Sequence, residues 1–420
     1  MNLIPKLDPS LDPVETTSRF VVWLIPTVLL VIAAALVGAF VYMRSNDQEI
    51  KEQVFIQDQL VSPTGTISQI SGFTPAETIE VVEPFSGQLY FNTDFGQTYL
   101  SSLIIDAIDK AEVQIEVAVY SMDHPLIRDA LYRAANRGVA VKLLLSEKRK
   151  ETHDLVFHNP PQNISRVDAG FESSRGSMHH KFILIDRNFE SAKLLFGSYN
   201  FTALQEKFDP SFVLETTRPE IIDVFGREFN RMYTGSPLTD RNPYAALLRY
   251  PEGYLEIWFT PASVNEIGLR TRFLGLIASA KKIIEVLIWN LTDTTITQAF
   301  IEKSKEGVPI TILTDDSNYS LEDSAFPFLN SQKELYNLHN LQIFTDHIRN
   351  IEIQEVYGEE DFNSFLHHHL LLVDDVAVFG TNNWSTNGFF NNNESIMIST
   401  VPYIVSSFKQ TFDANLDKAK

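Results

Sequence analysis

Two short stretches of the 420-residue chain carry histidines at strand-like spacing, each followed by a small polar step. The first reads His179-His180-Lys181, continues through an apolar run to Asp186, and reaches Gly197-Ser198-Tyr199-Asn200. The second reads His367-His368-His369, continues to Asp374, and reaches Gly380-Thr381-Asn382-Asn383. Side chains alternate across a strand, so His179 and Lys181 share one face and His180 takes the other. His367 and His369 pair in the same way, with His368 set apart. Cleaving a phosphodiester needs a nucleophile, an acid for the departing alcohol, and donors around the equatorial oxygens. Imidazole serves as nucleophile or acid near neutral pH. Lysine holds phosphate as a point charge, and Asn, Ser and Thr side chains donate to the remaining oxygens. The two stretches together therefore suit metal-free attack on a phosphodiester. Zinc would want three or four converging ligands backed by carboxylates, and it leaves Lys181 and the Gly-Ser/Thr-x-Asn steps unexplained. No metal and no cofactor is expected.

The elements that must position these residues occur twice. Leu103 to Tyr120 (LIIDAIDKAEVQIEVAVY) resembles Phe273 to Trp289 (FLGLIASAKKIIEVLIW), each an amphipathic helix pattern followed by a buried-strand pattern. RGVAVKLLLS from Arg137 likewise resembles EGVPITILTD from Glu306, and Ile115 pairs with Ile284 at the same spacing as Gly138 with Gly307. A repeat this long predicts two similar α/β halves with mixed sheets flanked by helices, not a solenoid. Gly235, Pro237, Pro243 and Pro251 punctuate the chain between them, which places the halves at residues 85–240 and 241–420.

The pattern H-x-K-x4-D followed by G-S-x-N, doubled in one chain, resembles the phospholipase D superfamily, and the resemblance covers nearly everything after the linker described below. It implies two phospholipase D-like halves that pack face to face and share one active site, without a required metal. One motif histidine would form a phosphohistidine, and the other would protonate the leaving group and then activate water or an alcohol. Carried onto this chain, His179 is the expected nucleophile and His367 the acid/base. Lys181, His369, Asn200 and Asn383 would contact phosphate, with Ser198 and Thr381 beside them. Glu394 would orient His367 and Asp209 would serve the first half, while Asp186 and Asp374 complete the motifs. The second motif departs from the pattern in carrying His369 where the family has lysine.

Residues 20–43 contain no charged residue and exceed the length needed to cross a bilayer as a helix. A single-pass anchor is expected there, after a tail at 1–19 and before a polar linker at 44–84, with the catalytic part outside the cytoplasm. The chain has no cysteine, which excludes disulfides and thiolate chemistry. Its formal net charge of −20 works against broad nucleic-acid binding. The expected partners are a phospholipid or other phosphodiester and a lipid membrane, and the duplication makes an oligomer unnecessary. A tethered nuclease and a catalytically impaired scaffold are the alternatives.

Overall fold

A computed structural model of the chain describes residues 74–92, 99–170, 176–235, 243–261, 268–321, 323–347 and 365–420. The expected anchor at 20–43 lies outside the described residues. No described helix is long and apolar enough to cross a membrane.

The chain enters through β1 (Glu77–Glu80) and β2 (Gln88–Asn92), then α1 (Tyr99–Lys110), β3 (Gln114–Val119), α2 (Pro125–Asn136) and β4 (Ala140–Ser146). It continues with α3 (Lys150–Val156), β5 (Ile164–Ala169), β6 (Lys181–Ile185), β7 (Lys193–Gly197), α4 (Ala203–Phe208), β8 (Ser211–Thr216) and α5 (Pro219–Tyr233). The second half comprises β9 (Tyr244–Tyr250), β10 (Gly253–Phe259), α6 (Leu269–Ser279), β11 (Ile284–Ile288), α7 (Thr294–Lys305), β12 (Ile310–Thr314), α8 (Asp316–Tyr319), α9 (Phe326–Leu335) and β13 (Leu341–Thr345). It closes with β14 (Leu370–Val373), β15 (Val376–Gly380), α10 (Thr386–Phe390), β16 (Ser395–Ser399) and α11 (Pro402–Ala419).

Among the described residues, one sheet has seven strands in the order β2-β8-β7-β6-β3-β4-β5. The other has nine, and seven of them run β10-β16-β15-β14-β11-β12-β13, the same path one half later. The sense of pairing also repeats. β3–β4–β5 and β11–β12–β13 are parallel, and the remaining ladders of these seven-strand sets are antiparallel. Gly138 and Gly307 end α2 and α7 at φ 99° and 93°, a conformation that costs glycine little.

The two additional strands of the larger sheet are β9 and β1. Residues 77–80, read from sequence as part of the linker, pair in parallel with β9 at the sheet edge. The segment ETIE alternates half-buried and exposed positions, so it has no apolar run to announce it. Its order comes from the ladder it completes.

The strand bearing the first motif shows why its sequence is almost wholly apolar. Phe182 and Leu184 of β6 face the core between the sheets, whereas Ile183 and Ile185 face the core under α1 and α2. Helices α5 and α11 fill the layer between the sheets. Phe225 of α5 meets Phe182 and Phe196 of one sheet and Phe259 of the other at centroid distances of 5.1–5.3 Å. Phe408 of α11 likewise meets Phe91, Phe212 and Phe379. Each such ring pair contributes about 0.5–1.5 kcal/mol beyond its area burial, so the halves are held by a shared aromatic core.

His180 and His368, the off-face members of the motifs, belong to that layer. His180 packs edge-on against Phe182 and Phe259, with Nδ1 2.5 Å from Ser395 Oγ of the other half. His368 stacks on Phe91 across the same boundary.

Candidate active site

The segment before β6 lies alongside the other half: Met178 bridges Asn393, and the His179 amide donates to the Asn393 carbonyl at 2.9 Å. The His179 imidazole therefore reaches a carboxylate of the opposite half. Its Nδ1 lies 2.8 Å from Glu394 Oε2 and 3.1 Å from the Thr381 carbonyl oxygen. Both neighbours only accept, so Nδ1 carries the proton and Nε2 keeps its lone pair. Glu394 is fully buried and is fixed by Thr381 Oγ1 at 2.6 Å and Asn392 Nδ2 at 2.8 Å. Burial pushes the His179 pKa down; Glu394 raises it, and Lys181 and His367 lower it further. This is the state a nucleophilic imidazole needs.

The second histidine is a mirror of the first. The His367 amide donates to the Pro210 carbonyl at 3.0 Å, and His367 Nδ1 is 3.2 Å from Asp209 Oδ2. The other oxygen, Asp209 Oδ1, accepts the Phe365 amide at 2.9 Å. Asn92 of β2 clasps this turn, donating to the Asp209 carbonyl and accepting the Ser211 amide.

The carboxylates thus cross between the halves, which corrects the pairing expected from sequence. Glu394 serves His179, and Asp209 serves His367. Internal register explains the loose fit of Asp209 to its motif. Gly197 and Gly380 pair with Val213 and Ile396, so the place matching Glu394 is held by Ser211. Asp209, two residues earlier, supplies the carboxylate from the end of α4.

Lys181 opens β6 with its ammonium 3.3 Å from His179 Nε2 and 3.0 Å from the His179 carbonyl oxygen. It is almost fully buried, and that burial lowers its pKa from 10.5 to about 7 against the pull of Glu394. His369, its counterpart, lies just before β14 at φ 48°. The His369 ring is 5.8 Å from the His367 ring, and neither of its nitrogens has a hydrogen-bond partner among the described residues. Burial holds its pKa well below the ordinary value, and His367, Lys181, His179 and His368 depress it further. Without a bound anion His369 is therefore neutral near pH 7, not the cation its motif position suggests.

Asn200 and Asn383 occupy matching places, and in each the amide oxygen atom lacks a partner among the described residues. Ser198 and Thr381, expected beside the phosphate, are instead fully buried. Their hydroxyls accept the amides of Phe212 and Ser395 at 3.2 and 3.0 Å, which pins each turn to the neighbouring strand.

Asp186 and Asp374 also take a role other than catalysis. Both sit at positive φ, 44° and 51°, in the hairpins that close β6–β7 and β14–β15. The Asp186 carboxylate accepts the amides of Glu112, Val113 and Gln114, and that of Asp374 accepts those of Lys281, Lys282 and Ile283. Burial raises the pKa of each, but these backbone bonds outweigh it and the net shift is downward. Each aspartate ties a hairpin to the start of the adjacent central strand.

Two aromatic residues were missed in the sequence. The Tyr120 ring meets His179 edge-on at 4.9 Å, with the Lys181 ammonium 5.7 Å from its centre. The Trp289 ring lies 5.4 Å from His367. Tyr120 and Trp289 are related by the spacing that links Ile115 to Ile284, so the repeat itself carried the signal.

A family model described as the cardiolipin synthase, phospholipase D-like domain matches residues 104–233 and 273–416. A phospholipase D of Rickettsia felis is 35% identical over 107 residues, which make up 26% of this chain and 50% of that protein. A mitochondrial cardiolipin hydrolase of Chlamydomonas reinhardtii is 22% identical over 168 residues, 40% of this chain and 63% of the relative. The chain spans about half the length of the Rickettsia relatives it matches. The crystal structure of a phosphatidylserine synthase of Haemophilus influenzae superposes with a TM-score of 0.57 over 78% of this chain and 86% of the other. At 14% identity that likeness is one of fold.

Proposed function

Because the chain belongs to the phospholipase D superfamily, through the family whose domain model matches both halves, we propose that it is a membrane-anchored phosphodiesterase that hydrolyses or transfers phosphatidyl groups through a phosphohistidine at His179. One observation carries the reading: two histidines, each fixed at Nδ1 by a carboxylate of the opposite half, flank Lys181 and His369. His179 Nε2 attacks phosphorus while the bond to the leaving alcohol breaks, and protonated His367 gives that alcohol its proton. Neutral His367 then takes a proton from water or an acceptor alcohol. That oxygen attacks phosphorus, and the bond to His179 breaks. Lys181 balances charge on the equatorial oxygens, and the amides of Asn200 and Asn383 donate to them.

The phospholipid substrate is supported by the names of the matched relatives. Residues 20–43 would tether the site to a bilayer, with the catalytic part outside the cytoplasm. The net charge of −20 disfavours a nuclease. Neutral His369 in place of a lysine is what a scaffold reading would cite.

The test is turnover by the purified chain, with EDTA present, of vesicles containing phosphatidylcholine or phosphatidylglycerol and of single-stranded DNA. Release of choline or glycerol that His179→Ala abolishes is expected. Cleavage of DNA alone contradicts the lipid reading, and no turnover of any substrate favours the scaffold.

A further inference from the structure

The second half contains a buried acid that the chemistry above does not use. Asp315 follows β12 directly. In the parallel β11–β12 ladder Leu287 lies opposite Leu313 and Ile288 opposite Thr314, so Trp289 and Asp315 come next as neighbours. Leu287 and Leu313 point into the layer between the sheets. Trp289 and Asp315, two residues on, face the same way. Trp289 does so visibly, with its ring against His367 and against Phe365 at 4.9 Å.

One oxygen of the Asp315 carboxylate is occupied: Oδ1 caps α8, accepting the Ser317 amide at 2.8 Å, the Asn318 amide at 3.4 Å and the Ser317 hydroxyl. The other oxygen, Oδ2, is buried and has no hydrogen-bond partner among the described residues. An unpaired carboxylate oxygen that is fully enclosed is costly unless a ligand completes it. Burial raises the Asp315 pKa, its cap bonds lower it, and the charge of Asp209, the carboxylate that holds His367, raises it.

The acid belongs to one side of the site only. By the repeat spacing, Ser146 stands in the first half where Asp315 stands in the second. Asp346 lies opposite Asp315 one step beyond the Thr314–Thr345 pair, and its counterpart opposite Ser146 is Ala169. Groups that handle the phosphate recur in both halves, and Asp315 does not. Its asymmetry matches that of a phosphodiester, whose two esters differ. With His179 attacking, a departing oxygen protonated by His367 would carry its alcohol on the side of Trp289 and Phe365, beside which Asp315 stands in the sheet.

Resting on the phosphodiesterase reading above, we propose that Asp315 and the rings of Trp289 and Phe365 seat the leaving alcohol, and that this alcohol carries an ammonium group. A carboxylate with aromatic faces beside it stabilises an alkylammonium by ion pairing and cation–π attraction, and it gives a neutral polyol less.

The test compares kcat/KM of the full chain on vesicles bearing phosphatidylethanolamine with that on vesicles bearing phosphatidylglycerol. Bis(p-nitrophenyl) phosphate, a diester without an ammonium, is the third substrate. Asp315→Asn keeps an oxygen for the α8 cap and removes the charge. It should lower the ethanolamine-to-glycerol ratio by about tenfold or more, and Asp315→Glu should restore part of it. A measurement on the parent alone guards against a folding defect. Ethanolamine should inhibit its hydrolysis of bis(p-nitrophenyl) phosphate at concentrations where glycerol does not. A ratio unchanged by Asp315→Asn, or equal inhibition by the two alcohols, overturns the ammonium seat while leaving the phosphodiesterase reading intact. Failure of the parent to turn over any of the three substrates overturns both.

Discussion

Lys181→Met should abolish turnover and, at neutral pH, stabilise the fold. Methionine keeps the length of the side chain and removes its charge. The ammonium is almost fully buried, and its pKa falls from 10.5 in water to about 7. At about 1.4 kcal/mol for each tenfold change in proton affinity, the gap corresponds to a cost of about 4–5 kcal/mol for folding with the charge in place. Loss of the bond to the His179 carbonyl offsets about 1 kcal/mol of the gain, leaving about 3 kcal/mol at pH 7. The sign with pH follows from proton binding. Between about 7 and 10.5 the unfolded chain holds the proton and the folded chain does not, so the parent gains stability as pH rises. From pH 7 to pH 9 that gain is about 2 kcal/mol, and the variant lacks it. Urea midpoints of parent and variant at the two pH values give the comparison. A variant less stable than the parent at pH 7, or an advantage that does not shrink by pH 9, would refute the claim that the site holds a desolvated cation at the expense of stability.

Other consequences follow from the same geometry. Since the ammonium fraction of Lys181 falls as pH rises through about 7, kcat/KM should decline above that pH by about tenfold per unit, a limb visible in a pH profile on a soluble diester. Glu394→Gln should slow formation of the covalent intermediate, and Asp209→Asn should slow its breakdown as well as the protonation of an alkyl leaving group, each by on the order of 10³–10⁴, because each carboxylate fixes the tautomer of a histidine in the other half. Rapid-quench kinetics separate the two steps, and the reverse assignment would show the crossed pairing to be irrelevant to catalysis. Gly380→Ala would bring a Cβ to 2.3 Å from the Ser395 carbonyl oxygen, so a loss of about 2–3 kcal/mol in unfolding free energy is expected.

Much of this was legible in the sequence because it repeats. The offset joining Ile115 to Ile284 and Gly138 to Gly307 predicted two halves, and both sheets follow one strand path. Period-two alternation put His179 with Lys181 and set His180 aside among the phenylalanines between the sheets. What failed to show was anything depending on which half a side chain meets. Periodicity is blind to that, so Glu394 was assigned to the histidine of its own half. The state of His369 was equally hidden, since its neutrality arises from burial beside His367, Lys181, His179 and His368. Strand β1 has too few apolar residues to be distinguished from a linker without its partner.

The measurement that bears most directly on the account is identification of the covalent intermediate. The Asp209→Asn chain, mixed with phosphatidylethanolamine vesicles and quenched in alkaline denaturant, should yield on peptide mass spectrometry a phosphatidyl adduct on His179. An adduct on His367, or product formation with no adduct on either histidine, would contradict it.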